Sequence, residues 1–296
     1  MARYQGLALL GEPGSERYTV ESERACRQRV GGNGVIDRRR ADLTRPEKYV
    51  AKILGMLHAA EDAVLLEERL LAALANQTGR DKYATVQLMR KREDDIFYRP
   101  DSPHPRPDLV LEMIAAPGKT LQTLYPLLEQ LLFDLPVAAG SLILAMVEHK
   151  FISSPPQKFY YHYLMVRRDD YSDADYLEYY SRFHSRMGFH TPAVAGYSQN
   201  YVDASASRSL ASRLGLMWRP VTSVSELKMA SVDAFLGSDA VATVAGPAAE
   251  DEVRFLDRHN SVSFSSEVIW RCGDFNTIDD PIFPQHFPVP NTIDHR

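Results

Sequence analysis

Apolar residues in this chain switch repeatedly between a two-residue and a helical period, and the sequence of switches occurs twice. YVAKILGMLH, Tyr49 to His58, reads as a strand, and Glu61 to Gln77 sets apolar residues at helical spacing with charges opposite. Lys82 to Arg92 is a second strand. After a proline-rich loop, Tyr98 to Pro107, DLVLEMIA is a third strand, Thr120 to Leu135 a second amphipathic helix, and Ser141 to Phe151 a fourth strand. The order β-α-β-β-α-β then returns. Phe159 to Arg168 is a strand, Ser172 caps a helix from Asp173 to about Gly188, and AVAGYSQNYV is the next strand. An irregular stretch, Ser205 to Pro220, precedes a strand over Val224 to Ala230. Val232 to Val244 is helical and broken by Gly246-Pro247, and Ser261 to Arg271 is the last strand.

The repeat is one of structure more than wording: Leu111-Glu112-Met113 in the first half corresponds to Ser225-Glu226-Leu227 in the second. Each half reads as a ferredoxin-like split βαβ unit, whose helices cover one sheet face and leave the other bare. Two tandem units in one chain can close the bare faces on each other, so the expected fold is α+β, an intrachain pseudo-symmetric barrel. The expected boundaries are an irregular arm over 1–46 with one short helix near Val20 to Val30, a first unit over 47–155, a second over 156–272, and an extended proline-rich tail over 273–296.

Composition narrows the function classes. The 296 residues are 45% hydrophobic and carry a net charge of −5 with both signs mixed, which leaves no footprint for nucleic acid or an anionic membrane. The one dense basic run, Arg38 to Arg40, reads as solvated surface. Cys26 and Cys272 are the only cysteines, too few for a disulfide framework and without CxxC spacing, which fits a reducing cytoplasm. The start of the chain is below signal-peptide quality, and no apolar run approaches a membrane span.

Short matches in the second half, about Lys158 to Arg271, carry a family likeness. They are Tyr179, Tyr180 and His184 on the first helix; Tyr197, Gln199 and Asn200 on the next strand; Glu226-Leu227; and Phe255-Leu256-Asp257 before Ser261. In these the chain resembles the EthD-like branch of the dimeric α+β barrel superfamily. Two departures stand out: Ser185-Arg186 replaces the usual Ala-Pro after the histidine, and the Ser205 to Pro220 insertion is long. The resemblance implies a small apolar cavity with a few polar groups, in a fold that hosts cofactor-independent lyases, cyclases, dehydratases and monooxygenases as well as haem enzymes. It also allows a homodimer.

The candidate chemistry is acid/base. His184, near a helix end, is either a proton shuttle or a histidine bonded to a backbone carbonyl there. Strand alternation puts Tyr197, Gln199 and Tyr201 on one face and Ser198, Asn200 and Val202 on the other, and only one face can line a cavity. The first face, with Tyr197 and Gln199, is the expected lining, and Asn200 is held as the structural alternative. His162 and Tyr161 lie on opposite faces of the preceding strand, either of which can be inward, in a Tyr-rich run that also suits a plain aromatic core. Glu226 points away from the helices as an acid/base group or an ion-pair partner. Tyr180 joins the substrate-binding set. Met217 and Trp218, in SRSLASRLGLMWRPVTS, form either a lid over an aromatic or acyl substrate or an anchor between the halves.

His58 and His149 sit at strand ends without a third ligand at metal spacing, so no metal is expected. No GxGxxG, Walker or GxSxG pattern occurs, and the expected activity uses no cofactor. The leading expectation is a lyase, cyclase or dehydratase acting on a hydrophobic or aromatic small molecule, with His184, Tyr197, Glu226 and His162 moving protons. The rivals are a haem-binding oxidoreductase and a non-catalytic aromatic-ligand barrel.

Overall fold

The computed structural model describes residues 50–76, 83–95, 97–99, 101–189, 191, 193–237 and 246–273. The expected arm and its short helix, His190, and the tail beyond Gly273 lie outside these residues. The described residues form eight strands: β1 (Val50–Leu57), β2 (Tyr83–Lys91), β3 (Leu109–Ala115), β4 (Leu142–Ile152), β5 (Phe159–Met165), β6 (Gly196–Val202), β7 (Ser223–Met229) and β8 (Val262–Gly273). They close in the order β1-β3-β2-β8-β5-β7-β6-β4, with every neighbouring pair antiparallel. Each half contributes a ferredoxin-like run, β4-β1-β3-β2 or β8-β5-β7-β6. The β2–β8 and β4–β6 pairings seal the two runs into one barrel.

Alternation along the strands divides the packing into layers. Ile53 and Leu57 of β1 point outward against Leu66, Leu70 and Leu74 of α1 (Ala63–Ala75) and Leu128 and Leu131 of α2 (Tyr125–Leu132). Leu54 and Met56, on the other face, point inward and meet Val110, Leu144, Val224, Leu164 and Phe264 from both halves in one apolar cluster. A split βαβ sheet has nothing to cover its second face, so burying that face requires the other half of the chain.

Local chemistry sets the helix limits. The Asp62 carboxylate accepts from the Val64 N–H at 2.8 Å, so α1 starts later than the apolar period alone suggests. The expected helix over Thr120 to Leu135 opens instead with a 3-10 turn, Leu121–Thr123, and becomes α-helical only with Pro126 in its first turn. Ser172 caps α3 (Asp173–Tyr179), which passes through one π-helical turn, Tyr180–His184, into α4 (Ser185–Phe189).

Two expectations change. The stretch read as irregular holds a three-turn helix, α5 (Ala204–Leu214), capped by Asp203 and ended by Gly215 at φ 67°. Its sparse apolar residues hid it, yet Leu210 is buried in the helix layer of the first half and the Ser207 hydroxyl accepts from the Ala145 N–H. After α6 (Val232–Gly237), Gly246-Pro247 opens a further helix, α7 (Gly246–Phe255), while the rest of the expected helix, 238–244, lies outside the described residues.

Candidate functional site

Where the interior is not apolar it is densely charged. Lys52 of β1 is fully buried, and its ammonium lies 2.6 Å from Glu226 Oε2, in contact with Glu112, and 3.7 Å from Glu148. Glu112 and Glu226 are the two residues that correspond in the sequence repeat, so the pseudo-symmetry brings both carboxylates to one cation. Lys228 Nζ lies 3.7 Å from Glu148 and keeps 14% of its side chain exposed. Gln87 donates to Glu112 at 2.6 Å and accepts from Arg271 Nε at 2.9 Å. His162, also fully buried, has Nε2 3.0 Å from the Ser266 hydroxyl and Nδ1 3.7 Å from Glu226 Oε1.

Burial alone would strip charge from these groups, and their mutual attraction opposes it. For Lys52, burial lowers the pKa, but Glu112, Glu226 and Glu148 outweigh it and hold the ammonium well above its ordinary value. Glu148 is pushed up by burial and pulled further down by Lys52, Lys228 and Lys150, to about 2. Lys52 and His162 likewise hold Glu226 down against burial. Glu112 goes the other way, since burial outweighs Lys52 there.

Several polar atoms in this network make no hydrogen bond among the described residues: both oxygens of Glu148, Oε1 of Glu226, Nδ1 of His162, Oδ1 of Asn200 and Oγ of Ser198. All five residues are at most 1% exposed. Buried polar atoms are normally paired, and an unmatched set around one centre is what a polar guest would complete.

The other expected site residues lie on the opposite side of the barrel wall. The expectation for β6 is reversed: Tyr197 and Gln199 face the helices, and Ser198 and Asn200 face the interior. The cause is the Gln199 amide, which donates to the Tyr180 carbonyl (3.1 Å) and the Tyr197 hydroxyl (2.7 Å) and accepts from Tyr201 OH (2.8 Å). Its hydrogen-bonding capacity is spent in the helix layer. Asn200 donates to the Val224 carbonyl, leaving its own oxygen bare. Tyr161 also faces outward, edge-on to Phe97, while His162 faces in.

His184 lies in the outer layer, its Nδ1 2.9 Å from Asp251 of α7, whose other oxygen accepts from Tyr179 OH at 2.5 Å. Burial raises Asp251, but those two bonds bring it below its ordinary value. Burial pushes the Tyr180 and Tyr197 phenols well up, so both stay protonated. The surroundings of His184 do not fit a haem. Its ring packs on Phe255 and Tyr180, both fully buried, and a Cβ on nearby Gly188 would come 2.5 Å from the Tyr197 ring, so the described residues open no slot for a macrocycle there.

Met217 and Trp218 sit at the far end of the barrel, Met217 at an opening and Trp218 against the interior apolar cluster. His58 stands beside Ser141 at that end while His149 pairs in register with Gln199, so the two do not meet. Among the described residues no group of three or more His, Cys, Asp or Glu is gathered for a metal, and no helix is long and apolar enough to cross a membrane.

No protein-family model matches the chain, and no curated protein matches it. Among solved structures, an anthrone oxidase-like protein is 9% identical over 77% of this chain and 94% of its own, with a TM-score of 0.51. The chain has the dimeric α+β barrel fold. A ferredoxin-fold protein related to antibiotic biosynthesis monooxygenases, from Listeria monocytogenes 4b F2365, is 11% identical over 75% of this chain and 96% of its own, at a TM-score of 0.38. In this α+β barrel both halves come from one chain, so the closure is internal.

Sequence reasoning reached His162 and Glu226 but passed over Lys52, Glu148, Lys228, Gln87 and Arg271. A signal was there: Lys52 in VAKILGML and Glu112 in LVLEMIA are charges inside otherwise apolar strands, and Glu148 follows the apolar run LILAMV. Such a charge is costly unless it meets a partner across the interior.

Proposed function

We propose that the chain is an enzyme that moves protons within the barrel interior, of the lyase, cyclase or dehydratase type, without a cofactor, on a hydrophobic or aromatic small molecule. The observation that supports this reading is the set of buried polar atoms on Glu148, Glu226, His162, Asn200 and Ser198 that make no hydrogen bond among the described residues. They are donors and acceptors held ready in a low-dielectric space, where a bound polar group gains most.

His162 is the acid/base group. Its imidazole is held by Ser266 on one side and aimed at Glu226 on the other, a separation of 3.7 Å that can tighten when a substrate compacts the site. Lys52 keeps Glu226 ionised and supplies positive charge for an oxyanion that develops nearby. Asn200 and Ser198 orient the polar end of the substrate. A second reading keeps the chemistry in the outer layer, with His184 as the base and Tyr197 as the donor; the His184–Asp251 pair supports it, because a carboxylate on Nδ1 directs Nε2 outward as a base. A third leaves the barrel a binder of aromatic ligands without turnover.

A substrate screen with mass-spectrometric readout, followed by H162Q and H184Q, decides among them. Loss of turnover in H162Q with H184Q active supports the interior site. The converse moves the chemistry outward, and ligand binding with no product in any reaction supports the third reading.

A further inference from the structure

The end of the barrel away from the Lys52 network carries a cation that the proton-transfer chemistry does not use. Arg219, between α5 and β7, borders an opening lined by Met56, His58, Leu164, Met217 and Phe264. Its Nε and Nη1 are sealed from solvent and make no hydrogen bond among the described residues. Burial lowers the guanidinium to about 10, with no carboxylate of the described residues offsetting it, and it still carries its charge at neutral pH.

The other charged groups at this end do not neutralise it. Burial pushes the imidazoles of His58 and His104 down, which leaves both neutral above their ordinary range. Asp108, the carboxylate beside His58, is held by Lys91 Nζ at 2.6 Å and the Ala59 N–H at 3.0 Å. A guanidinium presents a planar fork of donors that matches a carboxylate, and leaving buried donors bare costs free energy that an anion would recover. The remaining walls are apolar and run into the interior cluster. Phe264 belongs to both, lining the opening and lying 5.1 Å from the His162 ring, centroid to centroid.

We propose that this opening binds the carboxylate of a hydrophobic organic acid, with the Arg219 guanidinium holding the carboxylate and the apolar body directed toward Phe264 and His162. The cavity is about 20 Å³, room for one water, so admission of the acid displaces Met217. That side chain is 38% exposed, unbranched and free to swing. The binding site stands on Arg219 alone; combined with the proton-transfer reading, on which this last step rests, it makes the substrate a hydrophobic carboxylic acid.

The test is calorimetric titration of the full chain with 2-naphthoate and with its neutral isostere 2-naphthamide. The acid should bind about tenfold more tightly than the amide, as expected for a charge-assisted fork, and R219M should abolish the preference. Equal affinities on the unaltered protein, or the same acid preference in R219M, overturn the proposal. If R219M does not fold, R219K decides: it keeps the charge without the planar fork, so a reduced preference supports the site and an unchanged one overturns it. Because the readout is binding, a failed Arg219 site (no acid preference) and a failed proton-transfer reading (H162Q with full turnover) are separate results.

Discussion

Two histidine–carboxylate pairs stand on opposite sides of the same barrel wall. His184 and Asp251 join a helix to a helix in the outer layer; their bond is short, the acid also accepts from Tyr179, and both side chains keep about a tenth of their surface exposed. His162 and Glu226 face each other across the interior at 3.7 Å, fully buried, within a network several of whose atoms make no hydrogen bond among the described residues. The members of the outer pair are hydrogen-bonded to each other and those of the inner pair are not. A saturated pair ties elements together, whereas an unsaturated buried one holds interaction energy available to a guest.

Breaking the inner network should have the largest effect. K52M removes the cation between Glu112 and Glu226, and should cost about 3–5 kcal/mol in urea-induced unfolding because buried carboxylates lose their counter-charge. A loss no greater than that of D251N would erase the contrast. On a turned-over substrate, H162Q should lower kcat about 100-fold, in the range of general acid–base catalysis, while H184Q stays within about threefold.

The inner network should also set the acid limb of stability. Glu148 is held at about 2 against an unfolded value of about 4.3, so its stabilisation is fully present above the unfolded value and lost as pH falls from about 4.5 toward 2. E148Q should flatten the dependence of unfolding free energy on pH in that window. Smaller effects belong to the outer layer. G188A forces a Cβ to within 2.5 Å of the Tyr197 ring and should cost about 1–3 kcal/mol. D251N, which weakens the bond to His184 but keeps an acceptor, should cost about 1 kcal/mol, read as a small drop in Tm.

Much of the architecture was legible along the chain. The alternation in YVAKILGMLH and FYYHYLMVRR, and the helical spacing in EDAVLLEERLLAALANQ, place strands and a helix close to where they form. The helix over Ala204–Leu214 escaped because only Leu210, Ala211 and Leu214 mark its buried side, and that side is buried by the other half of the molecule. The His184–Asp251 pair is half visible along the chain, since the pattern marks Gly246-Pro247 only as a break and not as the start of the helix that carries Asp251.

The site was less legible, for a reason of symmetry. A two-residue period states that two strand faces differ but not which one turns inward, so Tyr197/Gln199 and Ser198/Asn200 were equivalent until the helices claimed the first pair. The sequence by itself determined the element order, the two matching halves and the corresponding glutamates at 112 and 226. Only the tertiary structure decided that both glutamates meet Lys52, that the tyrosine face packs outward and that Arg219 borders an apolar opening. Those are relations between strands far apart in the chain, and a residue's own neighbours carry no record of what the closed barrel sets opposite it.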